Sequence, residues 1–286
     1  LGWSFGLGGA PLNSYPPRFF PRHAPAAVVA LHTLLGLGLM VGPLLAEGFV
    51  RADRWAGFPL LLLGLSVLLA LIAATVRLPP DAGDEMDRRR ITNPPLTSGA
   101  FWIFAAIAVL YAFAEGAFSN WAVIYLREAK ALPAGVAALA LSVFWAAMVT
   151  GRLLVAVLVV RVAPQVIWLT LPVLMAAAFL LLPGANTPAL GLGLFALAGL
   201  ACSAFFPLTI TLASARFPDQ VAWVSSMLIA ALMVGVGLGS FVIGPLREWL
   251  ALEQIYRFST LYPILVIGLA GWLTVSQRRV AAVVGM

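Results

Sequence analysis

The chain has 286 residues, of which 62% are hydrophobic and only 10% charged, and its mean hydropathy is +1.02. A soluble domain carries about 45–50% apolar and about 25% charged residues, so this composition excludes a water-soluble globule. The formal charge of +6 comes from Lys and Arg at the ends of apolar runs rather than in one solvated patch, which serves membrane topology and argues against nucleic-acid binding. Cys202 is the sole cysteine, so an intramolecular disulfide and a cysteine metal cluster are both excluded.

The first residues lack the basic region of a secretory signal and Leu1 is not an initiator methionine, so the chain is expected to begin inside a longer protein. Apolar runs between Pro, Gly and charge punctuation predict a partial helix from the start to Ser14, then full spans at about Ala24 to Leu45, Phe58 to Val76, Ala100 to Leu126 and Pro133 to Val160. Four more follow at about Val166 to Leu182, Leu190 to Ala213, Val221 to Ile243 and Ile255 to Val275. The runs are continuously apolar for about 20 residues, whereas barrel strands alternate over about 10, so an all-α membrane protein is expected.

The longest polar stretch, "RLPPDAGDEMDRRRITNPPLTSG" from Arg77 to Gly99, has two Pro-Pro pairs and reads as a solvated linker. It divides the chain into residues 1–76, the linker 77–99 and residues 100–286. Counting Lys and Arg in alternate loops sets Arg18, Arg22, Arg77, Arg88, Arg89, Arg90, Arg161, Arg216, Arg278 and Arg279 against Arg51, Arg54, Arg127, Lys130, Arg247 and Arg257. The side with more positive charge, which includes the linker, is expected in the cytoplasm.

The two parts resemble each other. "RFFPRHAPAAVVALHTLLGLGLMVGPLL" opens on a basic, aromatic, Pro-containing turn and closes on Gly42-Pro43, and "ARFPDQVAWVSSMLIAALMVGVGLGSFVIGPL" opens alike and closes on Gly244-Pro245. Such repeats build many transporters. If the six helices after the linker form one half, the matching element before it is the fifth of six, and about three N-terminal helices are expected to be missing.

Twelve helices in two halves around a charged linker is the plan of the major facilitator superfamily. "LNSYPPRFFPRHAPAAVVALHTLLGLGLMVGPLL" resembles the fourth-to-fifth helix segment of its fucose permease branch, "YAFAEGAFSNWAVIYL" that branch's seventh helix, and "FWAAMVTGRLL" the start of its eighth-to-ninth helix motif. The resemblance implies a superfamily helical bundle running from a partial helix 4 to helix 12, about 9 of 12 helices, in the cell membrane of a bacterium. It implies alternating-access transport of a small polar solute of the sugar kind by a monomer, with H+ as coupling ion and no cofactor. One position departs: the branch's acidic residue four positions before the Asn that matches Asn13, which takes part in proton coupling and sugar binding, is Gly9 here.

Glu115 lies deep in its span with no other charge in that helix, where an ionised carboxylate is costly. It reads as a cavity carboxylate that takes a proton or binds substrate hydroxyls, or as a structural Glu tied to a neighbouring helix. Helical spacing places Tyr111, Phe118 and Ser119 on its face, with Asn120 and Trp121 on the flanks and Gly116 a site at which the helix could break. Trp121 is a sugar platform or an interfacial anchor, and Asn13 a cavity residue or a helix cap. His32 bonds a neighbouring helix or binds protons; with no second ligand beside it, a metal site is not expected. Arg152 reads as a gate or as a topological charge, with Arg161 and Asp219 as possible contributors to such a gate. Gly38 with Gly42, and Gly235 with Gly239, stand four apart, a spacing that lets helices approach closely or slide.

Two other function classes fit the chain less well. A polytopic membrane enzyme needs clustered acidic, His or Lys groups, and Asp81, Asp84, Glu85 and Asp87 sit instead in a loop beside Arg88 to Arg90. A transport-inactive sensor or scaffold on the same fold is the third reading, to which Gly9 lends weight.

Overall fold

The computed structural model describes residue 19, residues 24–76 and residues 94–284. Among them every regular element is a helix, and eight stretches are long and apolar enough to cross a membrane. The predicted partial helix before Ser14 and most of the linker lie outside the described residues. The chain forms two compact units that divide within the linker, at Arg88.

The first unit holds α1 (Ala24–Arg51) and α2 (Gly57–Thr75). Sequence punctuation ends α1 at Leu45, but the helix runs through Pro43 to Arg51, since a membrane helix tolerates the one backbone hydrogen bond that proline removes. Arg51 pairs with Glu47 one turn back, at 2.9 Å. Gly57 then packs against the Phe49 ring, where a Cβ would collide. No residue of α2 is buried although its mean hydropathy is 2.5, so its cover must be lipid or other helices.

The second unit is built from α3 (Gly99–Asn120), α4 (Ala134–Leu158), α5 (Pro164–Leu181), α6 (Pro188–Cys202), α7 (Phe205–Arg216), α8 (Val221–Leu246), α9 (Leu252–Ser259) and α10 (Leu261–Val284). Its two most extensive helix pairs are α3 with α8 and α4 with α6, and α5, α7 and α10 close the bundle around them. Lipid tails are as apolar as Leu, so these pairs must gain from close fit rather than from escaping water. Glycines supply that fit. A Cβ on Gly235 would sit 2.8 Å from the Val109 carbonyl oxygen, and one on Gly239 would sit 2.9 Å from the Phe113 Cα. In the other pair Gly199 presses on the Phe144 carbonyl, and Gly151 on Ser203. Between the pairs lies an aromatic core in which Phe118 stacks on Phe179 with centroids 4.0 Å apart, and Trp168 on Phe205 at 5.8 Å.

Two predicted spans are each a pair of helices. The run Leu190 to Ala213 breaks at Ser203–Ala204 between α6 and α7, and the run from Ile255 starts at Leu252 and breaks at Thr260 between α9 and α10. Both breaks lie three to four residues before a proline. A proline has no N–H, so the carbonyl four residues before it loses its helical donor; Pro207 deprives Ser203, and Pro263 deprives Ser259.

Candidate functional site

The break between α6 and α7 lies midway along its span and gathers polar groups from three elements. Ser203 donates its hydroxyl to the Leu200 carbonyl at 2.7 Å, and Pro207, without an N–H, leaves the Ser203 carbonyl to an outside donor. Arg152 of α4 is that donor: its Nε reaches the Ser203 carbonyl at 3.0 Å, and an Nη2 lies 3.3 Å from the Met148 sulfur one turn back. Gly151 allows this approach, for a Cβ there would stand 2.5 Å from the Ser203 hydroxyl. The Tyr111 hydroxyl of α3 donates to the preceding carbonyl, Cys202, at 2.9 Å.

Tyr111 is buried and packs against the rings of Phe205 and Phe206. One turn further along α3 the half-buried Glu115 carboxyl is within hydrogen-bonding reach of the Tyr111 hydroxyl and close enough to Arg152 for the two charges to act on each other. The Cys202 thiol is buried beside this group and feels the Glu115 charge. A carboxyl, a phenol, a guanidinium and two freed carbonyls thus meet within the second unit. Such a set can hold or pass a proton and can bind hydroxyl-bearing solutes.

The other candidates fall elsewhere. Phe118 belongs to the aromatic core. Ser119 donates to the Glu115 carbonyl of its own helix at 2.8 Å. The helix passes through Gly116 and ends at Asn120, so the break imagined at Gly116 falls four residues later, where the chain turns at Trp121. Asn120 stays exposed and donates to the Ser240 hydroxyl at 2.6 Å, while the Trp121 indole donates to the Ser240 carbonyl at 3.1 Å and lies under the Arg247 guanidinium. These two side chains therefore tie the end of α3 to α8, apart from the Glu115 cluster.

Arg161 and Asp219 are exposed and form no ion pair with any described residue. Gly38 and Gly42, unlike Gly235 and Gly239, have no described atom within 4 Å of an added Cβ. Asn13 and the side chain of His32 lie outside the described residues. Among the described residues no group of three His, Cys, Asp or Glu side chains could hold a metal ion.

Sequence reasoning missed Cys202, Ser203 and Ser240. For the first two the signal was present: small polar residues mid-run with a proline four residues past Ser203. Ser240 had none, since only its partners across α3 mark it.

The family model described as Major Facilitator Superfamily matches residues 1–239, most of the chain. The chain belongs to the major facilitator superfamily. Among solved structures it is similar to the crystal structure of the superfamily transporter FucP in the outward conformation, with a TM-score of 0.57 at 16% identity. The match covers 79% of this chain and 57% of the FucP chain, so the chain spans little more than half the length of that superfamily transporter. At this identity the likeness is one of fold. No curated protein matches the chain in sequence.

Proposed function

We propose that the chain is the greater part of a secondary active transporter that moves a small polar solute across the membrane by alternating access, driven by protons. Superfamily membership supports the transporter class over a membrane enzyme. The observation that carries the coupling is the Glu115 carboxyl, set in mid-span beside Tyr111 and within electrostatic reach of Arg152. Ionisable groups are kept in membrane interiors chiefly where they serve an ion or substrate pathway.

Sugars are the substrate class favoured by the motif resemblance to the fucose permease branch. In this reading residues 100–286 belong to one six-helix half, residues 1–76 to the other, and the linker 77–99 faces the cytoplasm. The protein works as a monomer in the bacterial inner membrane, and Arg152 holds the moving half together rather than forming an outer gate.

Proteoliposomes of the full-length protein test this. An imposed pH gradient is expected to drive accumulation of fucose, galactose or glucose, and a protonophore to abolish it. Sugar binding without any uptake would favour the transport-inactive sensor instead.

A further inference from the structure

The two carbonyls at the break between α6 and α7 differ in how they are held. Ser203 takes its hydrogen bond from Arg152, whose guanidinium has several N–H groups to give. Cys202 takes its bond from Tyr111, and a phenol has a single proton to give. That phenol is also within hydrogen-bonding reach of Glu115, one turn along the same helix. While its proton points at Cys202, the phenol oxygen can only accept from Glu115. A carboxyl group donates only when it carries its own proton.

We propose that Tyr111 ties the protonation of Glu115 to the break between α6 and α7, so that loss of the Glu115 proton releases the Cys202 carbonyl. With Glu115 protonated, a chain of bonds runs from Glu115 to Tyr111 to Cys202, and the break is held on both carbonyls. When the proton leaves to water, the carboxylate becomes an acceptor and draws the Tyr111 hydroxyl away. The Arg152 bond to Ser203 persists as a fixed strut, and the segment gains freedom about it. The inference rests on the reading of Glu115 as the coupling carboxyl and supplies what that reading lacks, a route from proton to helix.

Few other groups bear on Glu115. Arg152 faces it from α4 and Cys202 from α6. On α9, Tyr256 is engaged with the Ala117 carbonyl, and on α10, Tyr262 packs on Phe113. On α7 the sole titratable residue is Arg216, at its end, and α8 has none.

Cys202 is a built-in reporter, being part of the break and the sole cysteine of residues 1–286, and its labelling is read from the peptide that carries it. The full-length protein is labelled with a small membrane-permeant maleimide at acidic and alkaline pH, in the wild type and in Glu115→Gln, whose amide is a permanent donor to the phenol oxygen. Dividing the wild-type rate by that of Tyr111→Phe, which keeps the Glu115 charge beside the thiol but has no bond to give Cys202, removes the thiol's own pH dependence. The quotient is expected to be about one fifth in acid, the effect of one ordinary hydrogen bond, and to approach one in alkali. For Glu115→Gln, divided by the Glu115→Gln, Tyr111→Phe double variant, it is expected to stay low at both pH values. A wild-type quotient that does not change with pH overturns the link. Gradient-driven accumulation by Glu115→Gln would instead overturn the reading of Glu115 as the coupling group, and the two failures are scored in separate assays.

Discussion

The Arg152 Nε and the Ser203 carbonyl meet at 3.0 Å, where Pro207 has left that carbonyl without a helical donor. A membrane-embedded arginine therefore completes the backbone of a neighbouring helix. Replacing Arg152 by Met, which matches its apolar stem but has no donor, leaves the carbonyl unsatisfied and is expected to cost about 1–3 kcal/mol. Thermal unfolding in detergent checks this, and an unchanged midpoint would show that the carbonyl finds another partner.

The glycine contacts predict a graded series. Alanine at Gly199, which lies on the Phe144 carbonyl, or at Gly235, on Val109 and Ala112, must push backbone apart and is expected to cost about 1–3 kcal/mol each. Alanine at Gly237, with nothing within 4 Å, is expected to leave stability unchanged or slightly raised. Equal melting shifts at all three positions would contradict the packing described for α4 with α6 and α3 with α8.

Tyr125 stacks on Tyr256 with centroids 3.9 Å apart, yet its buried hydroxyl finds no hydrogen-bond partner among the described residues. Tyr125→Phe is therefore expected to stabilise the protein by about 1 kcal/mol. Burial, aided by the Glu253 charge, also pushes this phenol above its usual range, so the unfolded chain ionises first. Its contribution to stability is full below about pH 10 and is lost as pH rises from there toward the higher folded value. A melting curve against pH is expected to fall less steeply in the alkaline range for Tyr125→Phe.

Trp168 donates from its indole to the Thr209 hydroxyl at 2.8 Å, which in turn donates to the Phe205 carbonyl. Trp168→Phe keeps a ring against Phe104 and Phe205 but loses that donor, and is expected to cost about 1 kcal/mol or more once the lost packing area is included. Thr209→Val leaves the indole buried and unpaired and is expected to cost at least as much, as read by the same melting assay.

Much of this architecture was legible in the residue order, because long apolar runs have one stable answer in a bilayer. The positions of the main spans and the depth of Glu115 followed from that alone. Proline was the misleading sign. At Pro43 and Pro172 the helix continues, whereas at Pro207 and Pro263 it breaks. At Pro207 the difference lies in the surroundings: Ser203 has a hydroxyl that folds back and a partner in Arg152 for its carbonyl. Such partners come from elements distant in sequence, which no local pattern reveals. Helical spacing sets Asn120 and Trp121 on the flanks of the Glu115 face, but the helix ends between them, and both are tied to Ser240.

The central claim is that Glu115 couples protons to solute movement, and separating exchange from accumulation tests it most directly. In proteoliposomes Glu115→Gln is expected to retain sugar counterflow, which needs only a binding site and alternating access, while losing accumulation driven by a pH gradient. Accumulation by the variant at the wild-type level would contradict the account.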